Sequence, residues 1–393
     1  MYVTRPLSLY RKSPSALSAE PPEGPYTGVL VVSDELAEAQ ETCCWGLRKT
    51  RRIKKLPFPQ DKVLTVFHSL EREETLVKKV WFIPVLDRPL SYNCYYVIKA
   101  KGKQKGLACT CSRETDMRLC CMKSVIKDVK PRAFDLRNIN HQFKIHRYFR
   151  SSFFAKSVAP DGFAPNFLRR KGWEVRSSKL HNPQLSDALG LDSSLRTYLP
   201  SFDFPIPSKT SSSVVVGTWY CPFVFIREET SLKEQMKGSM LYKMTLEQHW
   251  EEIYSYESVN SEGNTVVLNV NVNVQREVDL VCGIEALKED RTNHCGFIWY
   301  NVRNITNGRR RCSVGLSFCI VEKMKLVQEE GGWVDGEERT ARVEKVVEIR
   351  SENGWRRFAC YMLVESFVLR RMDGCLVLKC DFRHTHRIKC KCE

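Results

Sequence analysis

Between Thr265 and Val281 the chain reads TVVLNVNVNVQREVDLV, its most regular pattern. Val266, Leu268, Val270, Val272 and Val274 take one parity, while Asn269, Asn271, Asn273 and Gln275 take the other. Side chains of an extended chain point alternately to opposite sides, so this run is a long strand with one apolar face and one neutral polar face. Shorter runs of β-branched and aromatic residues at 28–33, 63–67, 80–85 and 92–100 predict further strands. The segment 217–226, GTWYCPFVFI, is apolar on both parities, as expected of a strand covered on both sides, with Pro222 at an edge or bulge.

Helix signals are fewer. Asp34 to Gln40 is compatible with a short helix, and 112–127 with partly helical structure. Thr245 and Gln248 have capping-box spacing, with Leu246, His249, Trp250 and Ile253 at helical intervals, which predicts the clearest helix. Strand character resumes at 297–302, 313–321, 343–350 and 355–369. The fold class expected is α+β and β-rich: two domains dominated by antiparallel sheet with few helices, the second holding the long amphipathic strand. Proline and serine punctuate 201–212, which divides a basic N-terminal domain (1–200) from a C-terminal domain (213–380) and a basic Cys/His tail (381–393).

Charge sharpens this division. Residues 1–200 hold 35 Lys+Arg against 19 Asp+Glu, and residues 201–393 hold 27 of each, so the formal +16 lies entirely in the first half. Such an imbalance points to an anionic partner. The candidate contacts are Arg51, Arg52, Lys54 and Lys55 in a cationic run, and Lys101, Lys103 and Lys105 in a Gly/Lys turn. Between 131 and 180, cations interleave with aromatic residues such as Phe134, Tyr148, Phe149 and Trp173. Single-stranded nucleic acid is bound by such mixtures, although buried rings with cations at their rim give the same pattern.

The start of the chain lacks the apolar core of a secretory signal, and no run reaches the length of a membrane-spanning helix. A cytoplasmic protein is expected, with the nucleus as a second compartment. Its 17 cysteines are expected to be mostly reduced, and the sequon Asn304-Ile305-Thr306 unmodified.

No Walker loop, nucleophile elbow, zinc-protease, kinase or EF-hand pattern occurs, so neither catalytic residues nor a cofactor are assigned. Cys109, Cys111, Cys120 and Cys121 lack the Cys-x-x-Cys spacing of zinc knuckles. In the tail, Cys380, His384 and His386 are weak metal candidates: two histidines on one strand face stand about 7 Å apart, yet no turn residue brings the flanking cysteines together. Val266, Leu268, Val270, Val272 and Val274 have a sharper alternative reading. Membrane-crossing β-strands need about ten residues with apolar side chains alternating with uncharged polar ones, although an ordinary half-buried strand looks the same.

Several stretches carry a family resemblance: YVTRPLSLY at 2–10, PPEGP at 21–25, LPFPQ at 56–60, WYCPF at 219–223, LEQHWE at 246–251 and EEGGW at 329–333. Through them the chain resembles, along essentially its whole length, a plant-specific family known only as domain of unknown function 1262. Some members bear the label insecticidal crystal toxin domain, which implies kinship with β-rich pore-forming proteins. The family offers no catalytic or ligand-binding residues to carry over. The leading expectation is a non-enzymatic protein that binds a protein partner or an anionic surface, in plant defence or stress. A membrane-active protein related to β-pore-forming toxins and a nucleic-acid-binding protein are the alternatives.

Overall fold

The structure, a computed structural model, describes residues 1–39, 42–43, 48–49, 51–68, 77–120, 123–178, 185–258, 265–289, 296–302, 312–336, 338–349 and 355–393. β1 (Tyr2–Pro6) leads into α1 (Leu7–Lys12), and β2 (Gly28–Val32) returns parallel to β1 before α2 (Glu35–Ala39). Gly28 permits this close pairing, since a Cβ there would stand 2.7 Å from the Tyr2 ring.

Seven strands then build an antiparallel sheet: β3 (Arg52–Ile53), β4 (Leu64–Phe67), β5 (Lys78–Pro84), β6 (Cys94–Lys99), β7 (Gln142–Arg147), β8 (Phe153–Ser157) and β9 (Glu174–Ser177). Their order is β8-β7-β6-β5-β4-β9-β3. The central strands are apolar on both parities because each face meets a core. Val80, Phe82, Tyr95 and Val97 pack with Phe58 and Trp173 on one side, while Trp81, Ile83, Tyr96 and Ile98 pack with Phe223, Phe225 and Tyr242 on the other. That second core draws residues from both sides of 201–212.

A short helix, α3 (Ser193–Tyr198), precedes β10 (Val214–Pro222), β11 (Ile226–Glu228), α4 (Leu232–Gly238) and the long β12 (Leu241–Glu257). β13 (Val266–Gln275) follows, then β14 (Glu277–Val281), β15 (Ile284–Glu289), β16 (Phe297–Val302), β17 (Ser313–Ser317) and α5 (Phe318–Glu330). β18 (Thr340–Ile349), β19 (Arg357–Arg371) and β20 (Leu376–Cys392) close the chain. The large sheet runs β11-β17-β16-β15-β14-β20-β19-β12-β10-β1-β2, with the two-residue strand Gly190–Leu191 also paired to β10, so strands from before residue 201 complete a sheet otherwise made after residue 212. Residues 381–392 are the end of β20, paired with β19.

The β-rich α+β class expected from the sequence is the class observed. The helix expected from Thr245 is not there: 241–257 is strand, with Tyr242, Met244, Leu246, Gln248 and Trp250 buried at every second position. Gln248 occupies an inward slot because its amide has buried partners, and a polar residue there disguises the period of two. Conversely, the alternation at 313–321 stops at Ser317, and α5 buries Cys319, Ile320, Val321, Met324 and Val327. Within 112–127, expected to be partly helical, Glu114–Asp116 form a 3-10 turn, while residues 117–120 and 123–126 form a β-hairpin.

Candidate functional site

Among the described residues β13 pairs only with β18, in a two-stranded sheet apart from the large one. Its register links it to the strands beneath. β12 and β19 pair from Tyr242↔Arg371 to Glu257↔Arg357, and the Ser258 amide still donates to the Arg356 carbonyl at 2.8 Å. β13 and β18 then pair from Val266↔Ile349 to Gln275↔Thr340. Between Glu257 and Val266 lie residues 258–265, and between Ile349 and Arg357 lie residues 350–356, so the two connections differ by one residue. The same two stretches of chain therefore form two antiparallel ladders in succession, the second packed on a face of the first.

The contact between them is apolar. Leu268, Val270 and Ile349 meet Phe358 and Cys360, with Ile253, Tyr254, Ile388 and Cys390 at the edge. Cys360 and Cys390, directly opposite on β19 and β20, are joined as a disulfide in this layer; the other described cysteines of known side-chain placement are free. Val270 is fully buried while Asn269, Asn271 and Asn273 are exposed, as the alternation requires. The inward face of β18 carries Ala341, Val343, Val347 and Ile349, with Lys345 opposite Val270. Arg342 on the outward face donates to Asn271 Oδ1 at 2.9 Å.

At the foot of this ribbon, Asp279 is buried with one carboxylate oxygen lacking a hydrogen-bond partner among the described residues. Burial, and then the neighbouring Glu277 charge, pushes its carboxyl up to about 7.

A second feature is basic. α1 and the outward face of β7 border a cleft of about 460 Å³ lined by Arg11, Lys55, Lys144, His146 and Arg147, with Tyr10 at its wall and no carboxylate among the described residues of its lining. β7 places Phe143 and Ile145 in the core, which turns Lys144 and His146 outward. Arg11 is held by a 2.7 Å bond from its guanidinium to the Ala37 carbonyl. His146 stacks on Phe154 at 4.9 Å, and burial followed by Lys144 and Lys156 lowers its pKa. Beside it the β7–β8 turn projects Tyr148 and Phe149, 48% and 68% exposed. Lys171 Nζ stands 5.6 Å from the Tyr148 ring, and the Arg150 guanidinium 5.1 Å from the Phe149 ring.

A third cluster is ionic and buried. Arg196 of α3 donates through Nε to Glu365 Oε1 at 2.9 Å and pairs with Oε2 through its second nitrogen, while its third reaches the Val327 carbonyl at 2.8 Å. Gln248 donates to Glu365 Oε1 at 2.8 Å, and His384 Nε2 stands 3.5 Å from Oε2. Burial alone would raise the Glu365 carboxyl, but His384 and Arg196 outweigh it and hold the group well below the usual range. The arrangement clamps α3 to β19 and α5.

The structure distributes the sequence candidates unevenly. Of the cations, only Lys55 lines the cleft; Arg51 and Lys54 are exposed on other surface, and Arg52 pairs with Glu174. Lys101 and Lys103 are exposed on their turn, and Lys105 lies near Glu234 of α4. Arg11, Lys144 and Arg147 were not singled out in the sequence; the one signal was the cation–aromatic mixture around Tyr148. Within that mixture, Phe134, Phe143, Phe153, Phe167 and Trp173 are core residues. Cys380 packs in the core opposite Asp279, whereas His384 faces Glu365, and His386 stands 5.8 Å from it, ring to ring. Four residues along a strand span roughly 13 Å, so Cys380 and His384 do not converge on one ion. Among the described residues no group of three His, Cys, Asp or Glu side chains is placed to hold a metal. Cys109 and Cys111 are core residues; Cys121 and the sequon at 304–306 lie outside the described residues. No helix of the described residues is long and apolar enough to cross a membrane.

Residues 23–122 match the model of a family described as "Protein of unknown function (DUF1262)". No curated protein matches the chain. Among solved structures the chain is similar to the crystal structure of Cry35Ab1, with a TM-score of 0.43 and 11% identity over 85% of this chain and 90% of that one.

Proposed function

We propose that this protein acts at lipid membranes without catalysing a reaction, and that the β13–β18 ribbon is the segment that leaves the body to enter the bilayer. The observation that carries the reading is the succession of the two ladders. If β12 ran on into β13 and β18 into β19, with a one-residue adjustment, they would give one long antiparallel pair, joined at its far end by residues 276–339 and not by a tight turn. Ten residues in each strand suffice for a tilted crossing. The face now pressed on Phe358 would meet lipid, and the Asn-rich face a water-filled lumen. Lys345 is the exception on the lipid side, costing about 2–4 kcal/mol at the bilayer centre and less near an interface. One such pair cannot close a barrel, so the reading requires several copies.

Dye release from phosphatidylcholine/phosphatidylserine vesicles, at pH 7.4 and pH 5, tests this. Val270→Asp on the lipid face is expected to abolish release, and Asn271→Asp on the water face to leave it intact. Absence of release from the wild-type protein at both pH values, or equal effects of the two substitutions, would sink the idea. A second reading, a protein that holds an anionic partner, is favoured by the cleft that gathers Lys55, Lys144 and Arg147.

A further inference from the structure

We infer that Cys282 and Cys312 form a two-thiol exchange site, which low-molecular-weight disulfides such as glutathione disulfide oxidise to an intramolecular bond and free thiols reduce again. Neither the ribbon nor the basic cleft contributes to it. The two Sγ atoms stand 3.5 Å apart, although 30 residues separate them in sequence. Cys282 is exposed and Cys312 half-buried, so a small reagent reaches the pair, whereas Cys109, Cys221 and Cys319 are free but buried. A disulfide is about 2.05 Å long, so side-chain rotation has only about 1.5 Å left to close.

The backbone sets both thiols in place. Cys282 and Gly283 are the two-residue turn between the paired Val281 and Ile284 of β14 and β15, with φ of 51° and 82°. Positive φ at both positions marks a type I′ hairpin turn, where asparagine, aspartate or glycine sits with least strain. The Cβ of a cysteine is disfavoured there, so turn chemistry does not account for this residue. What the position supplies is a thiol against Cys312. The Cys282 amide donates to the Val377 carbonyl of β20 at 3.2 Å, and the Cys312 carbonyl accepts from the Val302 amide of β16 at 3.3 Å. Sheet register therefore fixes the sulfur contact.

The thiols take different parts. Burial, and then the contact with Cys282, pushes the Cys312 thiol up to about 11, which makes it the slower nucleophile toward the reagent. Cys282 attacks first: its sulfur bonds to one sulfur of glutathione disulfide, and the departing glutathione takes the proton that Cys282 lost. Cys312 then attacks the Cys282 sulfur, and the second glutathione leaves with the proton from Cys312. Two protein thiols are oxidised for each reagent disulfide reduced. The new bond ties the β14–β15 turn to the start of β17 and restrains the 30 residues between them.

The test uses the full chain, reduced and then exposed to excess glutathione disulfide, with thiols mapped by alkylation and mass spectrometry. In the wild type Cys282 and Cys312 should lose alkylation together, yield one joined peptide pair without bound glutathione, and recover in excess reduced glutathione. The exposed Cys375 should instead carry glutathione as a stable adduct. Cys312→Ser should trap one glutathione on Cys282, while in Cys282→Ser the remaining Cys312 should react on the order of tenfold more slowly. Continued alkylation of both thiols, a stable adduct on Cys282 of the wild type, a Cys282–Cys375 bond, or faster reaction at Cys312 would overturn the assignment. The wild-type mapping stands even if either variant fails to fold, and none of these readouts depends on vesicle leakage.

Discussion

Replacing Val270 by alanine probes how firmly the ribbon is seated. Val270 is fully buried, in a layer with Phe358 and Cys360, at the middle of β13. The substitution removes two carbons, about 1.6 kcal/mol of transfer free energy, and the unfilled space brings the total to about 2–3 kcal/mol. If the ribbon opens as a local unit, this loss falls on the opening equilibrium alone and not on the whole fold. At tenfold per 1.4 kcal/mol, the open form becomes about 30- to 150-fold more populated. Hydrogen–deuterium exchange read by mass spectrometry measures it directly: amides of 266–275 and 340–349 should exchange faster by that factor, while those of 241–257 and 357–371 keep their wild-type rates. Val267→Ala, at a position 63% exposed on the opposite face, should change neither set. Equal acceleration of both sets would refute the reasoning, since the ribbon would then open only with the sheet below it.

Three further outcomes are expected. Glu365→Gln leaves the Arg196 charge buried without its partner and should destabilise the protein by about 3–5 kcal/mol in urea titration. The wild-type carboxyl is depressed in the folded state, so its contribution is complete above the ordinary glutamate range and fades as pH falls below it; the variant should lack that acid-limb slope. Asp279 has the opposite sign. Its folded pKa is raised, so the folded state holds a proton that the unfolded chain releases between about pH 4 and 7, and stability should rise as pH falls through that window; Asp279→Asn should remove the rise. Lys345→Leu should increase vesicle leakage on the order of tenfold, since it relieves the single charged position on the lipid side, and an unchanged rate would show that this face does not meet lipid.

How much of this was legible in the sequence depended on whether each residue's surroundings are local. The alternation of Val266 to Val274 survives in the structure because every second side chain meets Phe358 and its neighbours while the asparagines meet water. At 245–253 the same period was hidden by Gln248, whose inward place is justified by the Arg196 carbonyl and by Glu365, 52 and 117 residues away. α5 was masked for the reverse reason: Cys319, Ile320 and Val321 are all buried, so the run continues the apolar character of β17 whichever period is assumed. That β13 would pair with β18 and lie over β12 and β19 is a matter of long-range register, which no local window contains. The basic cleft was equally invisible, because positions 11, 55, 144 and 147 become neighbours only when α1 settles beside β7.

The near-equal lengths of 258–265 and 350–356 constrain how this molecule can change over time. A strand that slips by one position exchanges its two faces, so a further unmatched residue in either connection, beyond the one by which they already differ, would, unless looped out, present Asn269 and Asn271 to the greasy layer and turn valines toward solvent. Insertions and deletions at these two places should therefore be inherited in compensating pairs. Aligned relatives in which one connection lengthens while the other stays fixed would show that the two ladders are free to drift.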